Sequence, residues 1–410
     1  MIDLKKLREN PDCFKKATAD KQRDPKLVNE SLKLDEEKRN VLQQVEVLRA
    51  ERNKLGKEGI ERGKQIKGEL DKLEDELKKL DADLQTVLWK LPNPALDNIP
   101  VGKDEGGNIE LRKWGEIPKF DFQPKAHWQL SESLDLIDTE RASKVSGTRF
   151  GYLKNEAVLL EVSLLNFGLK TLIAKGFVPI FPPVLIKKEV MEALGYNNYG
   201  FEETYVLPED DLCLVATAEH AIVPYLKDEV ILEKDLPKRF VGFSGAFRRE
   251  AGSYGKDTKG ILRVHQFNKL EMVFFCKPED SAEEHELILG IEEELMQALK
   301  LPYHVMQMCT GDLGDPAAAK YDIEAWFPSE NKYRETHSCS NCTDYQSRRL
   351  NIRFKRGSGE TEFVHILNGT VFSERPILAI LENYQQKDGS VEIPEVLRQF
   401  VGKDTISPKS

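Results

Sequence analysis

The sequence predicts an α+β protein in two parts: an N-terminal antiparallel α-helical coiled-coil hairpin, then a larger core built on an antiparallel β-sheet flanked by helices. Three observations point to it. Residues 26–90 are highly charged, nearly free of aromatics and spaced like a coiled-coil seam. From Phe150 onward aromatic and β-branched residues become common, and helical periodicity alternates with short apolar runs. The length, 410 residues, exceeds one ordinary compact domain. The expected division is residues 1–105 and 106–410.

The hairpin, about 26–91, comes first. Ile66, Leu70, Leu73, Leu77, Leu80, Leu84 and Val87 alternate spacings of four and three, the repeat of a helical seam. Leu34, Val41, Val45, Leu48 and Leu55 form a second, less regular seam, with polar Lys38 and Arg52 where core residues belong. Gly56, Gly59, Gly63 and Gly68 lie between the seams and disfavour continuous helix. Two helices of roughly 28 residues, each about 40 Å long, therefore fold back on each other. Pro92 and Pro94 stop the second. Charge is uneven along the rod. Arg49 to Lys67 holds seven basic residues against three acidic, and Glu69 to Asp83 holds seven acidic against three basic. A coiled coil that only dimerises is the plain alternative. A basic tip also suits a phosphate backbone, with Arg49, Arg52, Lys54, Arg62 and Lys64 as its candidates.

Residues 95–145 are a mixed connector. Val158 to Lys175 reads as an amphipathic helix ended by Gly176. FVPIFPPVL reads as a strand whose Pro179, Pro182 and Pro183 place it at an edge or interface. RFVGFSGAF, LEMVFFC, YDIEAWF, LNIRFK and FVHIL read as strands of one antiparallel sheet. EDSAEEHELILGIEEELMQALK and PILAILENYQQ read as helices, and KDTISPKS as a flexible tail.

Composition narrows the function. Charged residues make up 32%, above the roughly 25% of typical domains, and acidic groups exceed basic ones to a net charge of -10. Any nucleic-acid contact must therefore come from a local basic patch. No run of about 18 apolar residues appears, so no membrane-spanning helix is expected. MIDLKKLRENPD lacks the apolar centre of a secretory signal. Six cysteines over this length form no disulfide framework, and the cytoplasm is the expected compartment. Neither GxGxxG nor GxxxxGK[ST] occurs.

The chemistry concentrates in RFVGFSGAFRREAGSYGKDTKGILRVHQFNKLEMVFF, a strand, a long polar loop and a strand. Arg248, Arg249 and Glu250 stand where the first strand enters the loop. Lys256, Asp257 and Lys259 lie within it, and Arg263, His265 and Gln266 lead to the strand bearing Glu271. A guanidinium on a rigid strand clamps a phosphate oxygen well. Arg–Glu pairing on the sheet is the plain alternative for any one arginine. Several basic side chains around one Gly-rich loop favour an anion. Cys339 and Cys342 form a lone CxxC, short of the four ligands of a structural zinc site, and read as buried small residues. His265 reads as a loop anchor or a contact near the anion, and His220 as structural.

FRREAGSYGKDTKGILRVHQF closely resembles motif 2 of class II aminoacyl-tRNA synthetases, in the form found in the bacterial-type seryl-tRNA synthetases. VATAEH resembles that family's serine-site segment. TGDLGDPAAAKYDIEAWFPSENKYRETHSCSNCTDYQSRRLNIRFK is similar to its segment through the ATP site, and LNGTVFSERPILAILENYQ to motif 3. The Pro182-Pro183 strand resembles motif 1, and the hairpin the arm that grips tRNA(Ser). The likeness spans essentially the whole chain.

The resemblance implies a ligase that activates L-serine with ATP to seryl-adenylate and then loads the 3′ end of tRNA(Ser), with tRNA(Sec) a further acceptor. ATP and Mg²⁺ are the implied cofactors, a homodimer the implied assembly, and no membrane is involved. Arg248 would join the α-phosphate to the serine carboxylate, and Arg249 would lie on the ATP side. Glu250 would face the adenine amino group, and Val264 would lie near the adenine. Arg375 would bind the γ-phosphate region. Glu335, Thr336, His337 and Ser338 would contact ATP, with Glu335 and Ser338 on Mg²⁺. Thr217, Ala218, Glu219, Glu271, Asn368 and Thr370 would surround the serine.

The chain departs from the family pattern in three places. His337 replaces a usual second serine, Glu374 a usual small residue, and Thr370 to Arg375 is one residue shorter. Two rivals share the fold. A paralogue loading another carrier would lack the arm, and a non-catalytic RNA-binding relative would lose the loop or motif 3 arginine. The arm and both arginines are present.

Overall fold

The computed structural model describes residues 1–55, 59–198, 200–251 and 259–408. It divides into two compact units, Met1–Pro94 and Ala95–Ser410. Residues 95–105 belong to the second unit, where Leu96 N–H donates to the Ala318 carbonyl and Thr310 N–H to that of Pro100. The division therefore falls ahead of the expected residue 105.

The first unit has two short helices that no periodicity announced, α1 (Leu4–Glu9) and α2 (Pro11–Asp20), and two long ones, α3 (Lys26–Lys54) and α4 (Ile60–Lys90). Asp3 caps α1 by accepting the Lys5 N–H at 2.8 Å. Ion pairs fix α3 and α4 as antiparallel: Lys38 meets Asp81 and Arg49 meets Glu74, so partner numbers fall as α3 advances. Val41, Val45, Ile66, Leu70, Leu84 and Val87 are buried along the seam. Lys38 keeps its seam position through Asp81, 2.5 Å away, and Arg52 stays exposed. One expectation about the glycines is corrected. Gly59 stands at the start of α4, but Gly63 and Gly68 lie inside it, where the long seam outweighs their propensity cost of about 1 kcal/mol each. Gly56 and Lys57 lie outside the described residues.

The second unit is built on an eight-stranded sheet. Its strands are β1 (Ile109–Trp114), β2 (Val178–Ile180), β3 (Lys238–Phe247), β4 (Gln266–Cys276), β5 (Tyr303–Gln307), β6 (Ala319–Phe327), β7 (Lys332–Asn341) and β8 (His365–Ser373). The order is β1-β5-β6-β7-β8-β4-β3-β2, antiparallel except for β2 beside β3. Three helices cover it: α5 (Glu156–Ala174), α6 (Ser281–Ala298) and α7 (Arg375–Asn383). Strand alternation sorts the faces. Leu270, Met272, Phe274 and Cys276 join Leu160, Leu164, Ile288, Leu295 and Ile377 in one core, which leaves Lys269 and Glu271 to the other face. Gly369 lets α6 approach β8 closely, since a Cβ there would lie 2.2 Å from Ile288 Cγ2.

Several sequence expectations change. LNIRFK is not in the main sheet: Arg353–Lys355 pairs with Thr361–Phe363 and, in parallel, with Val230–Leu232. The preceding residues close a helix, Tyr345–Leu350, at left-handed Asn351, which leaves only a short strand. FVPIFPPVL breaks at its prolines. β2 ends at Ile180, and Leu185–Lys187 enters a separate small sheet. The tail is anchored as far as Ile406, where Thr405–Ile406 pairs with Val391–Glu392 and Ile406 is buried. Within the connector, β1 forms an edge of the main sheet. The Val158 helix starts at Glu156 and stops before Gly176, whose φ of +87° suits glycine. By length and composition α5 is apolar enough to cross a membrane, contrary to expectation. Leu160, Leu164 and Leu172 bury part of it in the core, while Val158, Leu159 and Val162 stay exposed.

Candidate active site

Strand ends and one helix start converge on the face opposite α6. β3 ends at Phe247, so Arg248 and Glu250 leave it at the rim of the sheet. β4 brings Lys269 and Glu271, β7 brings Glu335 and Ser338, and β8 brings Asn368 and Thr370. Arg375 opens α7, with Pro376 in the first turn, where a missing N–H costs nothing. Arg248, Glu250, Val264, Glu335, Ser338 and Arg375 line one pocket.

The outer part of this pocket is a set of mutual ion pairs. Arg375 Nη1 donates to the Glu335 carbonyl and carboxylate, both at 3.0 Å. Arg263 Nη1 donates to Glu250 at 2.7 Å. The Arg248 guanidinium lies 5.0 Å from the Phe267 ring centre. Burial, and then the nearby Arg375, pull the Arg248 pKa down, since two guanidiniums are held close together. An anion between them would relieve that repulsion. At Glu335 burial pushes upward, but Arg375, Lys320 and Arg248 together hold the carboxyl down at about 2.

Behind Lys269 and Thr370, which line the pocket, lies a group of buried carboxyls. Glu219 accepts the Tyr196 hydroxyl at 2.9 Å and the Gln346 amide at 3.2 Å. Glu271 lies 2.6 Å from the Lys269 ammonium and hydrogen-bonds the Thr217 hydroxyl. Strand register sets Glu271 opposite Thr370 and Val273 opposite Asn368, with an irregularity beside Leu270. The shortened stretch before Arg375 thus still brings Thr370 across from Glu271. Burial, reinforced by Glu271, pushes Glu219 up to about 7, while Gln346, Tyr196 and Lys269 oppose the rise. Burial also raises Glu271, against the pull of Lys269.

Other expected residues stand apart. A bulge at Thr336, opposite Ile323 and Glu324, brings Glu335 onto the pocket face beside Thr336 and Ser338. His337 instead turns into the core. Its Nε2 is 3.0 Å from the Val371 carbonyl and its Nδ1 is 2.9 Å from Thr336 Oγ1. Burial lowers its pKa to about 4, so it stays neutral. Arg249 lies over the Tyr205 ring and lines a second cavity of about 1090 Å³ with Arg149 and Lys259. Ala218 is fully buried. His265 Nδ1 meets the Arg248 carbonyl at 2.9 Å, which fits a loop anchor. His220 and both CxxC cysteines are buried. Lys256 and Asp257 lie outside the described residues.

Tyr196, Gln346 and Lys269 are site residues that sequence reasoning missed. Lys269 was within reach, because it stands two positions before Glu271 and shares its strand face. Tyr196 and Gln346 come from distant segments with no local signal.

Residues 199–384 match the class II core domain of tRNA synthetases (G, H, P, S and T), so the sheet and its pocket are a class II synthetase core. Residues 1–95 match the seryl-tRNA synthetase N-terminal domain. The serine–tRNA ligase of Dictyoglomus turgidum is 47% identical over 424 aligned residues, covering all of both chains. Seryl-tRNA synthetase from Pyrococcus horikoshii, solved with ATP, has a TM-score of 0.95 at 42% identity over all of both chains. Cytoplasmic serine–tRNA ligase from Naegleria fowleri, solved with AMP, has a TM-score of 0.90 at 32% identity, covering 98% of this chain and 96% of that one. The chain belongs to the seryl-tRNA synthetase family.

Proposed function

We propose that this pocket activates L-serine with ATP to seryl-adenylate and passes the seryl group to the 3′ end of tRNA(Ser), and also of tRNA(Sec). The observation that carries this is a pocket lined by Arg248, Arg263, Arg375, Lys269 and Thr370, with the buried carboxyl Glu271 directly behind it, paired to Lys269. Glu219 and Glu271 suit the serine ammonium, and Thr217 and Thr370 its hydroxyl. Arg248 holds the serine carboxylate and the α-phosphate together while a carboxylate oxygen attacks phosphorus and pyrophosphate leaves. The chain supplies position and countercharge rather than a nucleophile. Arg375 leaves Glu335 to take the terminal phosphates, and Glu250 turns from Arg263 to the adenine amino group beside Val264. An ionised Glu335 next to Ser338 fits a hard cation, and these two residues would hold Mg²⁺, which neutralises phosphate charge when bound. Serine-dependent exchange of labelled pyrophosphate into ATP tests this assignment, and no exchange would refute it.

Serine affinity should depend on pH through Glu219. Its raised pKa of about 7 means that acid neutralises it and removes the attraction for the ammonium. The KM for serine should therefore be level above about pH 8 and rise about tenfold per unit below about 7. Glu219→Gln should bind serine weakly with no such slope. A KM unchanged between about pH 6 and 8 in the parent would remove Glu219 from the serine site.

The hairpin is the proposed tRNA grip. Arg62 is held by Glu51 at 2.7 Å and Arg49 by Glu74 at 2.8 Å, while Arg52, Lys54 and Lys64 are exposed. Changing these three to Gln should weaken tRNA binding and lower its log–log salt slope by about two to three. Pyrophosphate exchange should stay at the parent rate. Unaltered tRNA affinity at every salt concentration would contradict the grip. The exposed Val158, Leu159 and Val162 of α5, with Phe181 beyond edge strand β2, support a two-fold homodimer.

A further inference from the structure

A second pair of carboxyls lies behind the Arg375 end of the pocket. Glu374 lines the pocket and is only 7% exposed. Its Oε2 accepts the backbone N–H of Asn268 at 3.2 Å. The side chain of the same Asn268 hydrogen-bonds Glu161 of α5, which is 5% exposed. One residue of β4 thus holds two buried carboxyls from two different helix regions.

The charged groups around them do not balance two carboxylates. Arg375 adjoins Glu374, but its Nη1 is engaged by Glu335. Lys269 shares the pocket, but its ammonium is paired with Glu271. Arg248 lines the same pocket and carries no bond to either carboxyl among the hydrogen bonds of the described residues. Two neighbouring buried carboxyls ionise together only at high cost, so one proton is retained. Burial pushes Glu161 up to about 7. Burial, and then Glu161, raise Glu374 well above the usual carboxyl range, against the opposing pull of the Glu374 and Asn268 backbone N–H groups and of Arg375.

We propose that Glu374 is a further ATP-site residue, a carboxylic acid kept neutral by its burial beside Glu161 so that Arg375 can give its whole charge to the triphosphate. This rests on the reading of the pocket as the ATP site. An ionised Glu374 would compete with the phosphates for Arg375 and repel them at short range. Bound polyphosphate in turn favours the neutral acid, so ATP and the proton on Glu374 bind together. ATP affinity therefore falls as pH rises through the range where Glu374 ionises.

Calorimetric titration of the full-length protein with ATP and Mg²⁺, without serine, tests this between about pH 7 and about 9.5. The parent Kd should rise about tenfold across that range, the effect of roughly one pKa unit of coupling. Glu374→Gln keeps the shape of the acid and cannot ionise, so its Kd should not rise across that range. Glu161→Gln removes the neighbouring charge that holds the Glu374 pKa up, and should move the rise to lower pH. Parent and Glu374→Gln curves that rise together would overturn the proposal, as would a Gln variant weakened equally at every pH. If the parent bound ATP at no pH, the ATP-site reading would fall first and the role of Glu374 with it. Tight binding with an unchanged Gln profile would sink Glu374 alone.

Discussion

L-Alanine is expected to support pyrophosphate exchange about 10⁴- to 10⁵-fold less well than L-serine, measured as kcat/KM. The proposed serine site, behind the pocket, is built from groups that need partners. Thr217, Thr370, Glu219 and Glu271 are each 5% exposed or less. Glu219 is paired with Tyr196 and Gln346, and Glu271 with Lys269 and Thr217. Alanine would displace those arrangements and return no hydroxyl, which leaves buried oxygens without hydrogen bonds. Threonine differs by one added methyl, so its exclusion rests on packing and should be weaker, about 10- to 200-fold. Alanine used within tenfold of serine would contradict the serine assignment.

Arg248→Ala should lower serine-dependent exchange about 100- to 1000-fold, the usual cost of losing one preorganised donor to a developing charge. The residue lines the pocket and reaches back to the segment that carries Thr217 and Glu219. Its backbone N–H donates to the His265 carbonyl and its Nε reaches the Ala216 carbonyl at 3.4 Å. The backbone bond survives the substitution, so the fold should persist and the loss should appear in kcat. A thermal melt alongside the rate measurement separates the two. Exchange near the parent rate in the folded variant would remove Arg248 from the reaction.

Much of this site was legible in the sequence because its residues sit in short segments of unusual composition. Arg248 and Glu250 lie where an apolar run gives way to a glycine-rich loop, and Arg375 opens an amphipathic helix. Other parts were hidden. The strand β7, KYRETHSCSN, is polar along its length and has no period-two apolar pattern. It is a strand because β6 and β8 pair with it on either side, and it carries Glu335 to Ser338. His337 looked like a neighbour of ATP by position, yet strand alternation beside the pocket-facing Ser338 turns it toward Val371 and the ring of Phe372.

The sequence by itself determined the two-part plan, the hairpin seam and the helices α5, α6 and α7, because each is encoded by a periodicity of apolar residues over a local stretch. It also determined which segments hold charged chemistry. Only the tertiary structure decided which of those charges meet. Arg375 reaches Glu335 across forty residues because β7 and β8 are neighbours, and Glu374 joins Glu161 because β4 lies between them with Asn268 holding both. Polar side chains at active sites gain their partners from strand order and bulges. These are set by long-range pairing and core packing, which leave no repeat in the local sequence.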